Sequence, residues 1–279
     1  GCSVSIQGTI TDPACALNIT LSTNNVTCFG GSDGNILANA AGGAAPYNYL
    51  WSNGDTTQYI TGLSAGTYTC TVTDTNGCPN TISTTITEAD QIIVNLNTLD
   101  VSCNGNSDGF ASVAPTGGSG SFNVLWWNGS TNSVVTNLTP GAYWVEIIDG
   151  NGCSVIEVFN IDQPAPIVYT TTTDSTSCNA SSDGSLIVTA NSGTAPYTYI
   201  LRNISGNIVS SNSTGIFTGL EAGIYTCEIS DGLLCVITEN DTIFEAPQIL
   251  DNAVITPISC NGGSDGSITI SPTGENDDF

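Results

Sequence analysis

The stretch "SCNGNSDGFASVAPTGG" (102–118), closed later by "GAYWVEIIDGNGC" (141–153), decides how this chain reads, because its parts return with a fixed stride. The cysteine that opens each copy is Cys28, Cys103, Cys178 or Cys260, at intervals of 75, 75 and 82 residues. Each copy then carries an Asp-Gly pair: Asp33-Gly34, Asp108-Gly109, Asp183-Gly184 and Asp265-Gly266. An aromatic stands nineteen residues past each opening cysteine, at Tyr47, Phe122, Tyr197 and Phe279. Three copies continue to a leucine (Leu63, Leu138, Leu220), a Gly-x-Tyr (Gly66 to Tyr68, Gly141 to Tyr143, Gly223 to Tyr225) and a closing cysteine (Cys78, Cys153, Cys235). Self-similarity at this period marks a tandem array, not one globule. The chain divides into 1–15 as the end of a preceding repeat, then 16–90, 91–165 and 166–247 as repeats 1 to 3, and 248–279 as the first part of a fourth.

The local pattern is all-β. Segments such as "GNILANAAG", "YNYLWSNG", "TQYITGL" and "GTYTCTVTD" are short, rich in Val, Ile, Thr and Tyr, and separated by Asn-Gly, Asp-Gly and Gly-Gly turns. In "TYTCTVTD" alternation puts Tyr68, Cys70 and Val72 on one face and Thr69, Thr71 and Thr73 on the other, as a half-buried antiparallel strand requires. Six or seven such strands per repeat imply a tandem array of small immunoglobulin-like β-sandwiches. The seven extra residues of repeat 3 fall between Tyr197 and Leu220, around Ser205-Gly206-Asn207, where a longer hairpin is accommodated.

A core of roughly 75 residues is marginal by buried area alone. The 11 cysteines are the obvious staple and imply an oxidising, extracellular setting. Pairing within repeats, Cys28 with Cys78, Cys103 with Cys153 and Cys178 with Cys235, would close 50-residue intervals in the first two and stabilise each by roughly 4 kcal/mol. Cys2 with Cys15 would close a small hairpin. The interval from each closing cysteine to the next opening one is a constant 25 residues, so bonds between neighbouring repeats stay open. Cys70 and Cys227 hold the place of Val145 and read as buried apolar groups.

Against 25 acidic residues there is a single basic one, Arg202, and no His. A net charge of −24 argues against nucleic acid, since phosphate contacts need Lys and Arg, and against adsorption to anionic membranes. No apolar run of membrane-spanning length is present, so no direct membrane insertion is expected. Without His there is neither a Ser-His-Asp nor a Cys-His pair, and the acidic positions recur as turn residues, so no enzymatic activity is expected. No cofactor is implied. Calcium is the one metal to weigh, with candidates Asp33, Asp108, Asp183, Asp265, Asp74, Asp149, Asp231, Glu88, Asp90, Asp162 and Glu245, but the chain lacks the D-x-[DN]-x-[DN]-G ligand run. An Asp at the start of a turn more often bonds its own backbone.

Trp51 and Trp126 occupy the strand in which immunoglobulin-like sandwiches carry a core Trp. By alternation Trp127 and Trp144 should face outward, which makes them the candidate contact patch.

The combination "VSCNGNSDGFASVAPTGG", "PYNYLWSNGDTTQYITGLSAGTYTCTVTDTNGC" and "PISCNGGSDGSITISPTG" resembles the SprB repeat of Bacteroidetes surface proteins, named for a gliding-motility adhesin, over about 16–279. Repeat 3 departs from it, with Leu201 in place of the Trp and Leu233-Leu234 in place of Asn-Gly. The resemblance implies a very large filament exported by the type 9 secretion system, anchored in the outer membrane and moved over the cell surface to attach to substrates. Its partners would be other repeats of the same chain, the motility or adhesion machinery, and polysaccharide. Exported proteins of this group are O-glycosylated at Asp-Ser/Thr motifs, which resemblance singles out Thr56, Ser175 and Thr242. The ends read as cuts within a longer protein, since "PTGENDDF" (272–279) stops in register with "PTGGSGSF" (115–122). Two functions follow: a stalk stapled by disulfides, or repeats that themselves bind carbohydrate or a partner. Complementation of end half-repeats into an extracellular fibre is a further alternative.

Overall fold

The computed structural model describes residues 15–273, and every regular element among them is a strand. Repeat 1 contributes β1 (Asn18–Asn24), β2 (Gly34–Ala41), β3 (Asn48–Trp51), β4 (Tyr59–Leu63), β5 (Gly66–Thr73) and β6 (Pro79–Ile86). Repeat 2 contributes β7 (Leu96–Leu99), β8 (Gly109–Val113), β9 (Asn123–Trp126), β10 (Val134–Leu138), β11 (Gly141–Ile148) and β12 (Ser154–Ile161). Repeat 3 has seven: β13 (Val168–Asp174), β14 (Gly184–Ser192), β15 (Thr198–Asn203), β16 (Ile208–Asn212), β17 (Ile216–Leu220), β18 (Gly223–Ser230) and β19 (Val236–Ile243). A two-stranded pair, β20 (Val254–Thr256) and β21 (Ser267–Thr269), follows.

Each repeat pairs its strands into two sheets: β1-β2-β4 with β3-β5-β6, β7-β8-β10 with β9-β11-β12, and β13-β14-β17 with β16-β15-β18-β19. These are small immunoglobulin-like sandwiches. The extra strand β16 is the hairpin partner of β15, formed by the insertion around Ser205-Gly206-Asn207.

The strands form because their alternation matches a half-buried sheet. Cys70 and Val72 are buried in β5, while Thr67, Thr69 and Thr71 line the outer face and hydrogen-bond across to Thr85, Ser83 and Thr81 on β6. The wall of each core is one cross-strand pair whose bulk is redistributed from copy to copy. Trp51 faces Cys70, Trp126 faces Val145, and Leu201 faces Cys227, all six buried. Both Trp Nε1 groups donate to a backbone carbonyl, of Thr57 at 2.9 Å and of Asn132 at 2.7 Å.

The glycine of each Asp-Gly pair is required by close approach, not by its backbone angles. A Cβ at Gly34 would lie 2.7 Å from the Leu63 carbonyl oxygen and 3.0 Å from Ile86 Cγ2. Gly109 meets Ile161 at 2.8 Å and Leu138 at 2.9 Å, and Gly184 meets Ile243 at 2.6 Å and Leu220 at 3.1 Å. The recurring Asp-Gly and the recurring Leu are therefore two sides of one contact.

Contacts gather the described residues into two compact units, one of 15–98, Ala111–Val135 and Ala142–Phe159, the other of Leu99–Phe110, Thr136–Gly141 and 160–273. The division runs through repeat 2. Its closing segment clusters with repeat 1 and its opening turn with repeat 3.

Candidate functional site

Among the described residues, chemistry concentrates at two recurring loops that each carry a cysteine. The opening loop joins the first two strands of a repeat, and its carbonyl at Cys28, Cys103 or Cys178 accepts the amide of Gly31, Asn106 or Ser181 at 3.0, 3.0 and 3.1 Å. The Asp of the Asp-Gly pair clamps this loop from beneath. Asp33 accepts the amide and hydroxyl of Thr27, Asp108 those of Ser102, and Asp183 those of Ser177 together with the hydroxyl of Ser181. The Ser177 and Ser181 hydroxyls hold the Asp183 carboxyl down at about 2, and the Thr27 and Ser102 hydroxyls lower Asp33 and Asp108 in the same way. A second brace comes from the end of the repeat, where Glu88, Gln163 and Glu245 accept the amides of Gly30, Gly105 and Ala180 at 2.6, 3.0 and 2.9 Å.

The closing loop joins β5 to β6, β11 to β12 and β18 to β19. Here a buried Asp receives three backbone amides. Asp74 accepts from Asn76, Cys78 and Ala44 at 3.0, 2.9 and 2.9 Å. Asp149 accepts from Asn151, Cys153 and Ser119 at 3.0, 2.9 and 2.9 Å, and Asp231 from Leu233, Cys235 and Thr194 at 2.9, 3.0 and 3.0 Å. These three are 3%, 3% and 5% exposed, so each is a buried carboxyl group whose oxygens are met by backbone amide donors. The amides of Ala44 and Cys78 hold Asp74 below the usual carboxylate range. At Asp149 burial pushes upward, and the amides of Cys153, Ser119, Asn151 and Gly152 outweigh it.

Each Asp thus fixes the backbone that presents a cysteine, and the cysteines pair across repeats. Cys28 bonds to Cys153 and Cys103 to Cys235, with Cα–Cα distances of 5.6 and 5.5 Å, and Cys15 bonds to Cys78 at 5.6 Å. The first bond lies in one compact unit and the second in the other. Their seating is the same: Cys153 Sγ is 3.5 Å from the Thr27 carbonyl oxygen and Cys235 Sγ is 3.5 Å from that of Ser102. A cleft of about 350 Å³ lined by Phe29, Asp90, Ile92 and Asp149 flanks the first bond. One of about 340 Å³ lined by Asn104, Pro166, Ile167 and Val236 flanks the second.

This corrects the pairing expected within repeats, Cys28 with Cys78, Cys103 with Cys153 and Cys178 with Cys235. The reason is topological. Gly34, at the start of β2, lies against Leu63 and Ile86, so the opening loop sits at the end of the sandwich where β6 finishes. Cys78 precedes β6, at the other end of its eight residues, and thus roughly 25 Å away. A disulfide needs Cα atoms within about 7 Å. The Cys2 to Cys15 hairpin is also displaced, since Cys15 pairs with Cys78; Cys2 lies outside the described residues. Cys178 is exposed and unbonded.

Other sequence candidates are scattered. Cys70 and Cys227 are fully buried thiols, and burial pushes Cys227 up to about 11. Trp127 is half-buried, tilted on Tyr143 at 4.5 Å and edge-on to Trp126 at 6.2 Å, in an aromatic cluster that continues to Phe159. Trp144 stands 36% exposed, so the structure splits the expected patch. Thr56 and Ser175 are exposed in loops, whereas Thr242 is half-buried within β19 opposite Ile224. Of the calcium candidates, the Asp carboxylates of both loops, with Glu88 and Glu245, are turned to backbone or hydroxyl donors, and Gln163 does the same work uncharged. No group of three or more His, Cys, Asp or Glu that could hold a metal occurs among the described residues.

The SprB repeat matches residues 20–56, 95–131, 170–206 and 252–275. The chain carries SprB repeats. Each match covers the opening half of a unit, including Cys28, Cys103, Cys178 and Cys260, while the closing cysteines of the SprB units fall outside the matched segments. No curated protein matches the chain with significance. Among solved structures it is similar to the N-terminal eight Ig domains of Down Syndrome Cell Adhesion Molecule isoform 1.30.30, with 13% identity, 81% of this chain and 36% of that one covered, and a TM-score of 0.37. Domains 4–9 of the surface layer protein SbsC match at 15% identity over 85% of this chain and 49% of that one, TM-score 0.23. The IG1+IG2 segment of DIP-gamma matches at 14% identity over 56% and 97%, TM-score 0.29. The chain spans about a third and about half of the first two.

Proposed function

We propose that this chain is a stalk segment of a large, non-enzymatic cell-surface filament, in which SprB repeats are stapled to one another to hold an attachment site away from the cell. The observation that carries the reading is the offset of the disulfides: Cys28–Cys153 and Cys103–Cys235 each join one repeat to the next instead of closing a repeat on itself. What the repeats share, Gly34, Asp33, Asp74 and their counterparts, is spent on positioning these bonds and on packing. The aromatics that would make a repeated binding face differ between copies, with Trp144 where repeats 1 and 3 have Thr69 and Thr226. The SprB resemblance supports an extracellular, outer-membrane-anchored adhesin of gliding or attachment, exported by the type 9 system, whose partners are neighbouring repeats and the adhesion machinery.

Small-angle scattering of chains lengthened by further copies of 91–165 tests this. The maximum dimension should grow by about 25–40 Å per added repeat. No growth with repeat number would overturn the stalk. Saturable polysaccharide binding by the segment, lost in Trp144→Ala, would establish the repeats as the binding surface instead.

A further inference from the structure

Cys178 is the third member of a set whose first two members are bonded, and its loop is built like theirs. The Ser181 amide donates to its carbonyl at 3.1 Å, as those of Gly31 and Asn106 do to Cys28 and Cys103 at 3.0 Å. Asp183 clamps the residue before it as Asp33 and Asp108 do, and Glu245 braces Ala180 as Glu88 braces Gly30. Cys28 takes its partner from the closing loop of repeat 2, and Cys103 from that of repeat 3. Cys235, the closing cysteine of its own repeat, is already committed to Cys103. The opening half of a fourth repeat, matched over 252–275, follows in sequence.

We propose that Cys178 is the acceptor for a disulfide with the cysteine that closes the fourth repeat, in any chain that completes it, so that every repeat is bonded to its neighbours on both sides. The oxidant is a disulfide. The Cys178 thiolate attacks one sulfur of it, forming a mixed disulfide and releasing one thiolate. The closing cysteine's thiolate then attacks the Cys178 sulfur and releases the second. Two protein thiols are oxidised, one oxidant disulfide is reduced to two thiols, and the two protons pass to the thiolates released.

The test extends the full chain after Phe279 with a second copy of residues 123–165, since Phe279 stands where Phe122 does. The chain is refolded with oxidised and reduced glutathione, free thiols are alkylated, and a peptic digest is mapped without reduction. Low pH suppresses exchange, and one basic residue leaves trypsin almost nothing to cut. The expected result is a peptide pair joining Cys178 to the grafted copy of Cys153, with complete loss of alkylation at Cys178. Alkylated Cys178, or Cys178 joined to Cys260, in molecules carrying Cys28–Cys153 and Cys103–Cys235 overturns the proposal. The unextended chain gives a second reading that does not depend on the graft folding. There Cys178 should be alkylated while buried Cys70 and Cys227 are not, and a bond from Cys178 to any cysteine of that chain overturns it.

Discussion

Replacing cysteines in pairs distinguishes offset bonds from bonds that close single repeats. Changing Cys28 and Cys153 together to Ser removes one bond and frees no thiol. That bond spans 125 residues, worth about 5 kcal/mol on the chain-entropy relation. Changing Cys28 and Cys78 removes two bonds and strands Cys15 and Cys153 as thiols. The second bond spans 63 residues and adds about 4 kcal/mol, for a total loss of roughly 9 kcal/mol. Closure within repeats would reverse this ranking. Urea unfolding followed by the fluorescence of buried Trp51 and Trp126, with thiol titration of the native protein, reads both quantities. A Cys28/Cys78 variant that is the milder of the two and shows no new thiol would refute the connectivity.

Three further outcomes follow from single residues. Gly184→Ala places a Cβ 2.6 Å from Ile243 Cγ2, and should lower the unfolding free energy by about 1–3 kcal/mol through overpacking, measured by denaturant titration. Leu234 holds φ at +65° where Gly77 and Gly152 stand in the other repeats, so Leu234→Gly should raise stability by about 1 kcal/mol in the same assay. Asp183 is held at about 2 by the Ser177 and Ser181 hydroxyls, below its unfolded value of 3.8, so its contribution is complete above that value and is lost as pH falls toward 2. In Asp183→Asn, stability measured across pH 2–5 should lose this part of its acid dependence.

The repeat, the strands and the buried faces were legible because each rests on a short-range pattern: the stride of the opening cysteines, the alternation in β5, and the surplus between Tyr197 and Leu220 that becomes β16. The pairing was not, because it depends on strand direction. Simple up-down alternation over six strands places the loops before β2 and before β6 at the same end. In the fold, β3 and β4 lie in different sheets and run the same way, so one reversal is lost and the two loops separate. Trp127 is half-buried, not fully open, because it lies one residue beyond β9 and packs on Tyr143, a contact that alternation alone does not foretell. One signal did stand in the sequence. Asp74, Asp149 and Asp231 each precede the closing cysteine by four residues, the spacing at which a carboxylate reaches back to that cysteine's amide.

Pulling a single chain by its two ends tests the central claim, that the staples link repeats into one covalent path. With all three bonds intact, the shortest path runs from the N-terminus to Cys15, crosses to Cys78, follows the chain to Cys103, crosses to Cys235 and continues to the end. Fully extended, that path is about 300 Å long, against roughly 950 Å for the reduced chain. An oxidised chain that stops near 300 Å, and reaches roughly 950 Å only after reductant is added, is the predicted result. A limit of about 380 Å, the length left by bonds within repeats, or full extension without reductant, would contradict it.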